Sequence, residues 1–181
     1  MTRSPFCHAR RLGFLCATAA ALALLGAAPD TRGADWPQWR GPGRDAKVTD
    51  FKAPKSWPKE IKQQWKITVG DGVATPALVG DKLYVFSREG GAEVIRCLEA
   101  TNNKEVWKDK YDVEYKGKGD QGFQGPRASP TVADGKVVTF GLNGTLSCLN
   151  AATGEKLWRV ETGDPPMFHA SCSPLVVDST S

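Results

Sequence analysis

From residue 74 onward the apolar positions fall in short runs, each closed by a turn that carries glycine or asparagine. Residues 74–79 read as a strand and are followed by Gly80-Asp81. The next run, KLYVFS, ends at Gly90-Gly91; a third spans 93–99, and the segment 100–103 turns it into a fourth, 105–111. The same order returns with Asp134-Gly135, Asn143-Gly144 and Thr153-Gly154 at the three turns. Asp-Gly and Asn-Gly accept positive φ and mark tight antiparallel hairpins. No stretch here has the 3.6-residue period of an amphipathic helix. Each module therefore predicts a sheet of four antiparallel strands, A to D.

The modules are copies of each other. CLEATNNKEVW (97–107) and CLNAATGEKLW (148–158) align, and Thr75-Pro76, Ser129-Pro130 and Ser173-Pro174 align ahead of them. A repeat of about 40–50 residues built of four strands is the length of a propeller blade. A lone sheet of this kind cannot bury both faces, and radial stacking solves that. The fold class expected is all-β, a β-propeller of four-stranded antiparallel blades. About two and a half blades are present, so the ring is incomplete: an outer strand at 61–69, blades at 74–112 and 128–162, and the start of a third at 170–181. Within this frame Trp65, Trp107 and Trp158 occupy one repeat position, each ring lying against the next blade, worth about 2–3 kcal/mol by area. Gly154 supplies a left-handed turn residue, with Asn103 in its place in the first copy. Cys97 and Cys148 share another position, where small-residue packing is favoured over a disulfide or a metal or redox role.

These eleven-residue patterns resemble the Ala-x-Asp-x-x-Thr-Gly-x-x-x-Trp motif of the pyrroloquinoline quinone (PQQ) repeat propeller family. That family includes quinoprotein alcohol dehydrogenases and the propeller lipoprotein of the outer-membrane barrel-assembly machinery. The second copy keeps Thr153, Gly154 and Trp158; the first is weaker, with Glu99, Asn102 and Asn103. DWPQWRGPGRD (35–45) resembles the opening of exported bacterial propellers of this kind, and residues 34–60 are expected to form a strap across the blades. In closed rings of the family the N-terminal strand commonly completes the last blade, which implies that role for 61–69. The chain is therefore expected to be an N-terminal fragment, whose open sheet face would self-associate.

The N-terminus changes the charge picture. Arg3, Arg10 and Arg11 precede an apolar run, LGFLCATAAALALLGAA (12–28), which has the form of a secretory signal. Cleavage is expected near Gly33 or Ala34, leaving no stable transmembrane span. A retained anchor is the competing reading, the run being near the short end of the ~20 residues a spanning helix needs. Removing residues 1–33 takes away four arginines and one aspartate, so the net charge falls from +4 to +1. No basic surface remains to argue for nucleic acid. Export to the periplasm, cell envelope or exterior puts Cys97, Cys148 and Cys172 in an oxidising setting, where an odd number cannot all pair.

Chemistry is sparse. After the leader His169 is the only histidine, so histidine metal clusters and Ser–His–Asp sets have little to work with. Neither a calcium-loop spacing nor a phosphate-binding Gly-Lys-Ser/Thr occurs. Resemblance to the dehydrogenases would imply PQQ, a calcium ion, an aspartate base and two adjacent cysteines; adjacent cysteines are absent. The connectors between blades are the irregular parts, and such loops on a rigid scaffold tend to carry function. Phe123, Gln124, Arg127 and His169 are the candidate residues of that binding face. The function expected is a non-catalytic binding or assembly scaffold with protein partners in the cell envelope and no cofactor. The alternative is a PQQ-dependent quinoprotein oxidoreductase.

Overall fold

A computed structural model of the chain describes residues 34–49, 51–114, 124–163 and 169–177. They contain eight strands and no helix. The first sheet is β1 (Ala77–Val79), β2 (Lys82–Glu89), β3 (Ala92–Glu99) and β4 (Glu105–Asp112). The second is β5 (Thr131–Ala133), β6 (Lys136–Phe140), β7 (Thr145–Asn150) and β8 (Lys156–Glu161). Each sheet keeps sequence order and every pairing is antiparallel. These are two propeller blades. The innermost strands are shorter than the pattern suggests: β1 begins at Ala77, although Asp71 pairs again with Arg88 further along β2.

The turns use the backbone freedom their residues provide. Asp134 and Gly135 have φ of 48° and 70°, and Gly154 has 76°. Asn103, at the matching position of the first blade, has φ of 59°. Both outer strands carry a bulge at one repeat position. The ladder slips between Cys97 and Leu98 and again between Cys148 and Leu149, leaving Val106 and Leu157 without a partner. A bulge of this type bends its strand and re-aims the next side chain; here that residue is tryptophan.

Blade meets blade through two joints, each written twice. At the outer joint the Trp107 indole N–H donates to the Ala151 carbonyl at 2.9 Å, and Trp65 donates to Ala100, the matching alanine one blade earlier, at 3.0 Å. Trp107 lies directly over Gly154: a Cβ there would stand 2.6 Å from its ring. Gly154 is thus required by the neighbouring blade as well as by its own turn. At the inner joint the Thr75 N–H donates to the Ser129 hydroxyl at 3.1 Å, and the Ser129 N–H donates to the Ser173 hydroxyl at 2.9 Å. The repeated Ser/Thr-Pro pairs are therefore contact points near the axis. Tyr84, Phe86, Ile95, Cys97 and Trp107 pack between the joints against Val137 and Leu149, forming the core.

Residues 61–69 bury Trp65, Ile67 and Val69 partway while Lys66 and Thr68 stay exposed, the alternation of a strand with one covered face. They form no ladder, because no neighbouring strand of their own blade is present among the described residues. Residues 170–177 likewise have no ladder, although Ser173 is in place at the inner joint. Trp158 departs from its expected environment. It is 42% exposed where Trp107 is 9%, since no described sheet covers the far side of the second blade. Near the N-terminus Trp36 exchanges two backbone hydrogen bonds with Leu78, and the Pro37 carbonyl accepts from Val132. This segment thus runs across the inner edges of both blades.

Candidate functional site: the connector face

The turn 141–144, between β6 and β7, is the centre of the face that carries the long connectors. Leu142 is fully buried. Its N–H donates to Glu93 Oε1 at 2.7 Å, and its carbonyl accepts from Ala170 at 3.2 Å. Asn143 Nδ2 donates to the Glu114 carbonyl at 2.6 Å. The Gly144 carbonyl accepts both the N–H and the hydroxyl of Thr162, at 3.1 and 2.8 Å. One turn thus holds the neighbouring blade and both connectors.

Glu93 has no exposed surface. Its second oxygen accepts from the Tyr111 hydroxyl. Burial pushes the carboxyl above the usual glutamate range, against the opposing pull of the Tyr111 and Leu142 hydrogen bonds and of Arg88; Glu161 adds to the upward shift. Gly141 makes room for the pair: a Cβ there would come 2.1 Å from Glu93 Oε2 and 2.3 Å from the Tyr111 oxygen. Arg159, from β8, lies over the Tyr111 ring at 4.2 Å, donates to Ser147 at 2.7 Å and pairs with Asp109 across the seam.

The sequence candidates take different places on this face. Gln124 is half-buried, and its Oε1 accepts from Arg88 at 3.0 Å, while Arg88 also reaches the Val113 carbonyl at 3.5 Å. Arg127 is half-buried. His169 is buried with a left-handed φ of 65°, one residue before the Ala170 bond to Leu142. Phe123 lies outside the described residues. Gln124 is held by Arg88 of β2, and neither Gln124 nor His169 lines the two cavities described below. Glu93, Gly141 and Tyr111 escaped the sequence reading: Glu93 corresponds to Gly144 in the second copy, so no repeat marked it.

Two cavities flank the blades. An apolar groove of about 610 Å³ runs along the uncovered face of the second blade, between Val138, Phe140, Leu146 and Trp158 on one side and Pro174 and Val176 on the other. A polar cavity of about 370 Å³ lies beside the first blade, lined by Glu89, Lys108, Lys110 and Asp112. Cys97, Cys148 and Cys172 are free thiols; burial raises Cys97 to about 11 and shifts Cys148 upward, so neither is a ready thiolate. No three His, Cys, Asp or Glu side chains converge among the described residues. The hydroxyls of Ser129 and Ser173 near the axis are already engaged in the inner joint. The described residues do not assemble the donor set of a calcium–quinone centre.

Comparison with known proteins finds similar chains by sequence and by structure. The curated outer membrane protein assembly factor BamB of Shewanella oneidensis is 30% identical over 126 residues, covering 65% of this chain and 31% of that protein. Among solved structures, BamB from Moraxella catarrhalis is 24% identical over 64% of this chain and 31% of that one, with a TM-score of 0.46. The quinohemoprotein alcohol dehydrogenase ADHIIG from Pseudomonas putida HK5 is also 24% identical, over 63% and 17%, with a TM-score of 0.43. The chain thus spans about a third of the length of the curated relative it matches. The family profile described as outer membrane protein assembly factor BamB matches residues 44–180, most of the chain, and the protein belongs to that PQQ-repeat propeller family.

Proposed function

We propose that the protein is an exported propeller that acts as a non-catalytic scaffold for protein partners in the cell envelope. The observation that carries this reading is the use made of the polar groups on the connector face. Glu93, Tyr111, Arg88 and Asn143 all hold loops or neighbouring strands. A face whose chemistry is spent on holding its own shape is suited to presenting a surface to a partner. The match to a family described as an assembly factor supports the same reading, as does the leader-like N-terminus. The resemblance to quinoprotein dehydrogenases supplies the rival outcome of the test. Purified protein is loaded with PQQ and Ca²⁺ and assayed with primary alcohols and an artificial electron-accepting dye. The scaffold reading expects no alcohol-dependent dye reduction above the protein-free control. Saturable, PQQ-dependent turnover would sink it.

A further inference from the structure

The stretch FKAPKSWPKEIK (51–62) lies outside both blades and is unlike the rest of the surface. Phe51 and Trp57 stack on each other, ring centroids 6.1 Å apart and planes 19° from parallel, yet they remain 62% and 69% exposed. Ile61 beyond them is almost fully exposed. Lys52, Lys55, Lys59 and Lys62 are interleaved with these apolar groups, and Glu60 is the lone acid in the stretch. No described carboxylate lies within ion-pair distance of any of the four lysines. Pro54 and Pro58 each lack a backbone donor, and the stretch makes no backbone hydrogen bond to the blades among the described residues. Among the described residues, two large rings thus stand in water beside cations without a carboxylate partner, and neither ring packs into the core of the two blades.

Placement narrows the partner. On one side of the stretch Trp36 is bonded to Leu78, next to the turn Gly80-Asp81. On the other side Trp65 is bonded to Ala100, in the turn 100–103. Both anchors lie at the end of the first blade opposite the connector face. We infer that residues 51–62 form a contact for an anionic phospholipid surface, with Phe51 and Trp57 at the headgroup level and the four lysines on the phosphates. Tryptophan with an apolar body and a polar N–H suits that interface, and clustered lysines gain from its negative potential. Apolar burial and electrostatic attraction to anionic lipid add in surface binding, and this stretch offers both. An acidic polymer without apolar surface would engage the lysines but would leave both rings in water. Such a contact turns the connector face away from the bilayer. The inference is independent of the scaffold reading, since a dehydrogenase could be held at a membrane in the same way.

The test uses the exported protein and vesicles of phosphatidylcholine with and without phosphatidylglycerol, some carrying brominated acyl chains. Subtracting the emission of Trp57→Phe from that of the parent isolates the Trp57 signal. The expected result is quenching of that signal by brominated lipid in the phosphatidylglycerol vesicles and its absence with phosphatidylcholine alone. Binding should fall at least tenfold in Phe51→Ala/Trp57→Ala and in the fourfold Lys→Gln variant, both with unchanged melting temperature because these side chains are exposed. The readout is specific to position 57, so the N-terminal apolar run cannot imitate it. A Trp57 signal that stays open to aqueous quencher on bound vesicles overturns the inference. So does binding that the ring substitutions leave unchanged, or binding to polyglutamate with none to vesicles.

Discussion

Glu93 shows how one residue ties two blades together. Its carboxyl is reached by the Leu142 N–H from the next blade and the Tyr111 hydroxyl from its own. Arg88 and Glu161 act on it from β2 and β8, and Arg159 lies over the Tyr111 ring. Because burial raises the folded pKa, the native state favours the neutral acid more than the unfolded chain does. The stabilisation from that preference is complete below the ordinary glutamate range and is lost as pH rises through the raised folded value. Glu93→Gln keeps an acceptor for Leu142 and removes the titration. The variant's melting temperature relative to the parent should therefore rise between pH 4 and pH 7, followed by circular dichroism. A difference that is flat, or that falls with pH, would show that Glu93 is held as the anion.

At the scale of the strand and turn, the repeat was legible because its signals are local. Asp134-Gly135, Gly154 and the paired tryptophans announce turns and outer strands within a few residues of sequence. The joints were less legible, because each of their bonds crosses from one copy to the next. Thr75 and Ser129 stood out only as repeat markers, and their role appears once the Ser129 and Ser173 hydroxyls are seen to accept the preceding copy's N–H. Glu93 was illegible for a further reason: its partner Leu142 is 49 residues away and the second copy has no acid at that position. Trp107 and Trp158 now make an internal comparison. Trp107→Ala removes a buried ring and its bond to Ala151, and should cost about 3–5 kcal/mol in urea unfolding. Trp158→Ala removes a ring already 42% exposed and should cost less than half as much. Equal losses would mean that the seam beyond the second blade is closed in solution.

Across the whole molecule the two ends of the first blade have different chemistry. One end gathers the B–C turns and both connectors into a hydrogen-bonded cluster around Leu142. The other gathers the short turns, the Trp36 pairing and the aromatic–lysine stretch. The apolar groove along the second blade adds a third surface, where Val138, Phe140 and Trp158 face outward with the same side-chain pattern that packs the first seam. Buried by a further sheet, that groove would repeat the first seam; left open, it favours self-association. The fold was readable from the repeat, while the connector face was readable only as the region of irregular connectors. The proposed scaffold role places the function on this connector face and on no reaction centre. Its most direct measurement is photo-crosslinking in intact cells from probes at Asp112 and Glu114 on the connector face, compared with Asp81 and Asp134 on the short turns; all four positions are exposed. Discrete adducts with envelope proteins are expected from the first pair and none from the second. Equal labelling from both ends, or none from Asp112 and Glu114, would contradict it.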